Sequence, residues 1–151
     1  MARHTKPTLL CLALIGGLVA LPTSALDFQS VGAHGTVAFE APNSKSKKLY
    51  VLSKSIPVEV LVEQKEWRKV RDASGDLFWV TKSSLSQQRT LQVTVLKANV
   101  HKSPDSKSPV LFTLEKGSLL DLVESGKTGW AKVKHRDGNI GFITIEAVWG
   151  L

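Results

Sequence analysis

Cysteine is nearly absent from this chain of 151 residues, and the single Cys11 lies within an apolar run at 9–21. The rest of the chain therefore has no thiol that could form a disulfide, bind zinc or act as a nucleophile. The Gly-x-Ser-x-Gly motif, which positions the nucleophile in many serine hydrolases, is also missing. These absences exclude a disulfide scaffold and a hydrolase of the Cys/His type.

Metal-ligand spacing and paired carboxylates are missing as well. His34, His101 and His135 lie far apart in the sequence and have no cysteine partner, so each is expected to be an exposed histidine without a ligand role. The carboxylates occur singly on predicted loops and strands and offer no glycosidase pair. We therefore predict a protein that is not an enzyme, has no catalytic residues and binds neither a metal ion nor a cofactor.

Residues 1–25 differ in composition from the rest of the chain. Arg3 and Lys6 precede the apolar run, and small residues follow it at 22–25. This order is typical of a secretory signal peptide, here cleaved after Ala25. A membrane span is the alternative, but the 13 residues of the run fall short of the ~20 that cross a bilayer. The prediction is a periplasmic or secreted protein with no membrane span in its mature form.

Basic residues are in modest excess. Removing Arg3 and Lys6 from the net charge of +7 leaves +5 on the 126 residues that follow residue 25. Such an excess favours anionic surfaces, such as cell-wall polymers or lipid headgroups. A solvated face that only keeps the protein soluble is the alternative. Nucleic acid is not expected as a partner, because the sequence has no strip of basic and aromatic residues on which bases could stack.

An internal repeat accounts for most of the remaining chain. The segment APNSKSKKLYVL at 41–52 corresponds to SPDSKSPVLFTL at 103–114, and WRKVRDASGDLFWV at 67–80 corresponds to WAKVKHRDGNIGFI at 130–143. The offset is 62 residues for the first pair and 63 for the second. One residue has therefore been inserted in the loop before the second tryptophan, where an insertion costs little.

Each copy has the apolar pattern of short β-strands, as in PVEVLV at 57–62 and SLLDLV at 118–123, and no helical period is sustained. Gly75 and Gly138 lie among turn-forming residues between two such runs, which predicts a hairpin in each copy. We predict an all-β protein with two tandem small β-barrels of five or six strands each. The barrels span 26–85 and 91–151, and a short linker at 86–90 joins them.

A set of motifs follows in a fixed order along the second copy: Val100-His101, Ser103-Pro104, the polar loop 105–108, Val110-Leu111, Leu-x-x-Gly at 114–117, the apolar strand 119–123, Gly-Trp-x-x-Val at 129–133 and Gly-x-x-Gly-Phe-Ile at 138–143. This ordered set resembles the bacterial SH3 (SH3b) family. The two copies together resemble the exported tandem SH3-like proteins of proteobacteria. The resemblance implies an SH3-like barrel for each copy.

Several positions depart from the family pattern. The arginine that usually follows the first valine is His101 in the second copy, and Phe39 stands at the equivalent position of the first copy. Ser55 replaces the glycine of Leu-x-x-Gly in the first copy, and Phe78-Trp79 replaces the late Gly-Trp pair. These departures make a degenerate groove an open alternative in both copies.

The resemblance also implies where a ligand would bind. The polar segments that begin at Pro42 and Pro104 become the long RT loops, and an extended peptide would lie between each RT loop and the loop before the Trp strand. The candidate ligand-binding residues are four aromatic side chains and three loop residues: Tyr50, Trp67, Phe112, Trp130, Asn43, Asp105 and Lys127. The alternative places the large aromatics in the core or rim of the barrels: Trp67, Trp79, Trp130 and Phe142.

Lysines distinguish the first RT loop from the second. The candidates for electrostatic docking on a phosphate or carboxylate surface are Lys45, Lys47, Lys48 and Lys54. Pro109 and Val110 replace two of them in the second copy, so docking through charge should favour the first barrel. A solvated loop is the alternative.

These features predict a non-catalytic exported protein that binds a cell-envelope component. Peptidoglycan stem peptides are the first candidate ligand because the resemblance points to them, and two grooves on one polymer would add avidity. A protein–protein interaction adaptor, which would use a sheet edge or the cleft between the barrels, is the alternative. A structural module without a ligand groove is the third. The partner is thus a cell-wall polymer or a periplasmic protein, and the oligomeric state stays open.

Overall fold

The computed structural model describes Met1, residues 26–126 and residues 128–151. The predicted signal peptide beyond Met1 and the candidate Lys127 lie outside the described residues. Strands β1 to β14 and two short 3-10 turns make up the regular structure, with no α-helix in the described ranges. A membrane-spanning helix is accordingly not found among them.

The first repeat forms one antiparallel sheet with the strand order β3-β2-β6-β5-β4-β1-β7. Its strands are β1 (Phe28–Val31), β2 (Thr36–Phe39), β3 (Lys48–Leu52), β4 (Pro57–Gln64), β5 (Trp67–Arg71), β6 (Leu77–Thr81) and β7 (Leu85–Ser86). A 3-10 turn at Lys82–Ser84 leads into β7. The RT loop predicted from Pro42 connects β2 to β3.

The second repeat has the same strand order, β10-β9-β13-β12-β11-β8-β14. Its strands are β8 (Thr90–Val93), β9 (Lys97–His101), β10 (Val110–Glu115), β11 (Leu119–Ser125), β12 (Trp130–Lys134), β13 (Ile140–Thr144) and β14 (Val148–Trp149). The 3-10 turn at Ile145–Ala147 is equivalent to the one before β7. The predicted all-β class and the tandem repeat are therefore confirmed.

Each sheet has seven strands, where the sequence predicted five or six. The additional strands are β7 and β14, which have only two residues each. No apolar pattern marks such short strands, because they form by pairing with β1 and β8. The domain boundaries at 26–85, 86–90 and 91–151 stay predictions.

Each sheet has a hydrophobic core of its own. In the first repeat every strand from β1 to β6 contributes to one cluster: Val31, Ala38, Leu52, Val58, Val70, Phe78 and Val80. In the second repeat the buried cluster is Leu91, Val93, Ala98, Val100, Leu114, Leu120, Ala131, Val133, Ile143, Ala147 and Val148. Each repeat therefore buries an apolar cluster built from its own residues.

The two repeats contact each other through a pair of aromatic rings. Phe28 of β1 and Trp149 of β14 meet edge to face, with ring centroids 4.9 Å apart. The guanidinium of Arg89 lies 5.4 Å from the Phe28 centroid and donates a hydrogen bond to the carbonyl of Gly150 at 2.7 Å. Edge-to-face pairs and cations over rings are both favourable geometries.

A polar bridge adds to this contact between the repeats. The hydroxyl of Ser30 donates to the carbonyl of Gln88 at 2.7 Å, and the amide Nε2 of Gln88 donates to Asp121 at 2.9 Å. Gln88 thus bonds β1 of the first repeat and β11 of the second. The segment that links the repeats is tied to both of them, which favours one mutual orientation.

Candidate functional site

The two RT loops have the same internal hydrogen bonds. In the second loop the carboxylate of Asp105 accepts from the backbone N–H of Lys107 at 2.9 Å, and the hydroxyl of Ser108 accepts from the N–H of Ser103 at 2.9 Å. The equivalent acceptors in the first loop are Asn43 and Ser46. Asn43 and Asp105 therefore hold the turn of each loop, which is the local role that short polar side chains have in such turns.

A groove of about 350 Å³ lies on the second repeat between the RT loop and the loop before Trp130. It has the location that the sequence predicts for a ligand. Among the described residues, the lining has two aromatic side chains, one charge of each sign and several small loop residues: Trp130, Phe142, Glu124, Lys132, Pro104, Ser125, Gly126 and Thr128. Of the candidate ligand-binding residues that the structure describes, Trp130 is the one found in this lining.

Strand pairing stops further from the loop tip before Trp130 than before Trp67, so the second loop is longer. In the first repeat, β4 and β5 pair as far as Gln64 opposite Trp67, whereas the last pair of β11 and β12 is Ser125 opposite Ala131. A Cβ atom at Gly126 would overlap the carbonyl oxygen of Trp130. A glycine is therefore required where the longer loop begins.

Arg68 tightens the equivalent loop of the first repeat. Its guanidinium is buried and donates to the carbonyls of Lys65 and Trp67 at 3.1 and 2.9 Å, and it forms an ion pair with Glu63 at 3.1 Å. Ala131 stands at the equivalent position of the second repeat. Since alanine has no group that could bond the loop carbonyls, the second loop is not held in this way.

The side chain at the position where SH3b sequences usually have arginine contacts Trp130 in the second repeat and Trp67 in the first. His101 and Trp130 meet edge to face with centroids 5.3 Å apart, and Phe39 and Trp67 do so at 5.2 Å. Nδ1 of His101 lies 2.9 Å from the carbonyl of Ser108, and because a carbonyl only accepts, Nδ1 donates the proton. His101 therefore links the RT loop to the wall of the groove.

Tyr50 and Phe112 lie apart from this groove. Their partners across the strand pairs are Ala38 and Val100, which belong to the cores, so both rings project toward the core side of the sheet. Tyr50 packs edge to face on Phe78 at 5.3 Å. Partial burial, followed by the charges of Asp72 and Asp76, raises the pKa of Tyr50 to about 12.

The docking lysines divide between two surfaces. Lys45, Lys47 and Lys48 are exposed in and beside the first RT loop. Lys54 instead lines a cleft of about 600 Å³ between the two repeats. In the described parts of the chain, no three His, Cys, Asp or Glu side chains lie close enough together to hold a metal ion.

Comparison with known families identifies the repeats. A profile described as bacterial SH3 domain matches residues 33–87 and again residues 95–150. The chain belongs to the bacterial SH3 domain family. Its recognition from the motifs is thus confirmed. Bacterial SH3 domains usually bind cell-wall components and occur in extracellular proteins.

Solved structures that match this chain in part belong to longer proteins. NlpC2 from Trichomonas vaginalis is 18% identical with a TM-score of 0.39 over 83% of this chain and 48% of its own, and NlpC1 from the same organism is 17% identical with a TM-score of 0.37 over 85% and 47%. An NlpC/P60 family protein from Bacillus cereus is 15% identical with a TM-score of 0.36 over 82% and 56%. The chain spans about half the length of these proteins. A search of curated protein sequences gave no match.

Some residues of these surfaces are not among the sequence candidates. Glu124 and Lys132 of the SH3 groove lie opposite each other on β11 and β12, and only the strand register brings them together. Phe28 and Trp149 could have been found by comparing the copies, because Thr90 and Ser86 stand at the equivalent positions. A large aromatic in one SH3 domain and a small polar residue in the other indicates a contact that only one domain makes.

Proposed function

We propose that the second SH3 domain binds an extended peptide of the cell envelope, with peptidoglycan stem peptides as the first candidate. The observation that supports this function most directly is the groove between the RT loop and the loop before Trp130. Its volume of about 350 Å³ is at the small end of the range for ligand pockets, and suits a short peptide segment. The proposed function is binding, and no reaction of the bound peptide is proposed.

The lining of the groove matches a peptide that has charges of both signs. Trp130 and Phe142 offer aromatic surfaces that cost little conformational entropy when they are covered. Glu124 can accept from an amino group, and Lys132 can donate to a carboxylate. Stem peptides present both groups on a short extended backbone, so one segment could engage the two charges and an aromatic wall together.

We assign the first SH3 domain an electrostatic part in the same function. Its loop before Trp67 is held by Arg68, while the exposed Lys45, Lys47 and Lys48 form a cationic surface. Such point charges favour association with an anionic polymer and lose strength as salt screens them. The first domain would then hold the protein near the wall, and the second would supply specificity in a periplasmic or secreted location.

The second candidate function is an adaptor for an envelope protein. The observation that favours it is β3, which ends the strand order of the first sheet and exposes Leu49, Tyr50 and Val51. A terminal strand has backbone groups that can pair with a strand of another protein. Exposed apolar side chains on the same strand would add contact area.

Co-sedimentation with purified peptidoglycan tests the proposed function. We expect the wild-type protein to sediment with peptidoglycan at about 0.15 M salt and still at about 0.5 M salt, where charge attraction acts over only a few ångströms. Trp130→Ala should lose binding at both salt concentrations. Trp67→Ala is the matched variant in the first domain and should keep most of it.

Lys132→Ala is a second groove variant that removes a charge and leaves the aromatic wall intact. It should weaken binding while its thermal unfolding stays close to that of the wild type. If the wild-type protein is released from peptidoglycan at about 0.5 M salt, charge attraction alone accounts for the binding, and the groove proposal is overturned. Failure to bind peptidoglycan, together with capture of one protein from a periplasmic extract that a β3 variant loses, would favour the adaptor.

A further inference from the structure

The cleft between the two repeats is larger than the groove and differs from it in chemistry. Its volume is about 600 Å³, within the range of small-molecule sites. The first repeat contributes His34 and the turn after β3, and the second contributes the start of β11 and the end of β12. Among the described residues, no aromatic side chain other than histidine lines it, whereas charged and hydroxyl side chains are prominent.

The charged side chains of the cleft are mostly cationic. Among the described residues that line it, Lys54, Lys134 and Arg136 stand with one carboxylate, that of Asp121, so the formal charge is +2 when histidines are counted as neutral. Asp121 already accepts a hydrogen bond from Gln88 at 2.9 Å. A phosphate monoester has a charge of about −1.5 to −2 at neutral pH, which would balance this set.

His34 has a ring nitrogen, Nε2, that can donate a hydrogen bond to an anion. Its Nδ1 accepts from the backbone N–H of Lys54 at 3.4 Å. A neutral imidazole that accepts at Nδ1 has its proton on Nε2, so the second nitrogen is a donor. His34, which lines the cleft beside Lys54, can therefore donate from Nε2.

Backbone strain marks the turn that forms the first-repeat side of the cleft. Ser55 has φ of 69°, in the left-handed region, and its equivalent in the second repeat is Gly117 with φ of 89°. Both residues line the cleft. Because glycine adopts this conformation without steric cost, serine at this position makes the folded protein less stable than glycine would. Strained residues cluster at binding sites, and the side chain that serine adds here is a hydroxyl beside Lys54.

We propose that this cleft is a binding site for a small phosphorylated molecule. Arg136 binds the phosphate oxygens with its planar fork, and the two lysines add point charges from opposite sides of the cleft. The hydroxyl of Ser55 and the Nε2 of His34 complete the set of donors. The site lies apart from the peptide groove and shares with it none of the lining residues that the structure describes.

Isothermal titration calorimetry with glucose 6-phosphate tests this site, and inorganic phosphate and glucose serve as partial ligands. The purified protein should bind glucose 6-phosphate at about 0.15 M salt and should not bind glucose. The triple variant Lys54→Ala/Lys134→Ala/Arg136→Ala should bind at least about tenfold more weakly, since one charged hydrogen bond alone accounts for such a factor. Arg136→Lys keeps the charge without the fork and should give a smaller loss.

The matched control removes the same charge away from the cleft, with exposed lysines that line neither the groove nor the cleft: Lys82→Ala/Lys102→Ala/Lys107→Ala. It should bind like the wild type. Equal weakening of glucose 6-phosphate binding in both triple variants would show that only net charge matters and would overturn the proposal. The proposal would also be overturned if the wild type did not bind glucose 6-phosphate. Tight binding of inorganic phosphate with the same variant profile would support recognition of the phosphate group alone. Trp130→Ala should keep phosphate binding, which separates this test from that of the groove.

Discussion

Each repeat has one residue in the left-handed backbone conformation at the same turn, and substitutions at these two positions should change the stability of the protein in opposite directions. Ser55 and Gly117 occupy equivalent turns and have φ of 69° and 89°. The backbone N–H of each donates to an equivalent carbonyl, that of Val31 and that of Val93, at 2.8 Å in both cases. We expect Ser55→Gly to stabilise the protein and Gly117→Ala to destabilise it.

The magnitude follows from two opposing effects. A residue with a Cβ atom costs about 1–2 kcal/mol more than glycine in the left-handed region. Glycine in turn makes the unfolded chain more flexible, which costs about 0.4–1 kcal/mol. A Cβ atom added at Gly117 meets nothing within 4 Å, so no contact changes this balance. We therefore expect a change of about 0.5–1 kcal/mol in each direction.

Denaturant unfolding followed by circular dichroism measures both changes. Ser53→Gly is the control, because Ser53 belongs to the same turn and its φ is not positive. This control should lose about 0.5 kcal/mol, since only the unfolded chain is affected. Destabilisation by Ser55→Gly, or a neutral Gly117→Ala, would refute the assignment of strain to this turn.

Two further predictions concern the ionisation of Tyr50 and the contact between the repeats. Tyr50 is the one tyrosine of the chain, so its tyrosinate absorbance should titrate near pH 12 in the folded protein and near 10 in denaturant. Because the folded pKa is raised, the stability that protonated Tyr50 contributes is complete below pH 10 and is lost as the pH rises toward 12; equal midpoints would contradict this environment. Trp149→Ala should remove the ring that packs on Phe28, lower stability by about 2 kcal/mol, and split one calorimetric transition into two. A single transition at unchanged temperature would show that the rings do not couple the repeats.

The repeat made most of the strands of each copy accessible from sequence alone, but not their order in the sheet. The tryptophans at 67 and 130 and the turn glycines at 75 and 138 fix the register of the two copies, and the strands follow from apolar alternation. Strand β7, at Leu85–Ser86, was not predicted, because its residues become a strand only by pairing with β1. Pairing between distant segments leaves no local pattern to detect.

The groove could be located from sequence, but its full lining could not. Trp130 follows the inserted residue, and this change of offset is visible in the sequence. Phe112 faces the core side because the pairing of β10 with β9 shifts between Val110 and Phe112. Such a shift by one residue reverses the face on which later side chains project, so a prediction from spacing misplaces them.

The contact between Phe28 and Trp149 also has a consequence for the folding pathway. Each core is built from residues of one repeat, whereas these two rings come from the first and the last strand of the described chain. A contact with such a long sequence separation carries a large loop-closure cost, so it should form after both repeats have folded. Docking would then be the last step of folding, and the cleft between the repeats would exist only once that step is complete.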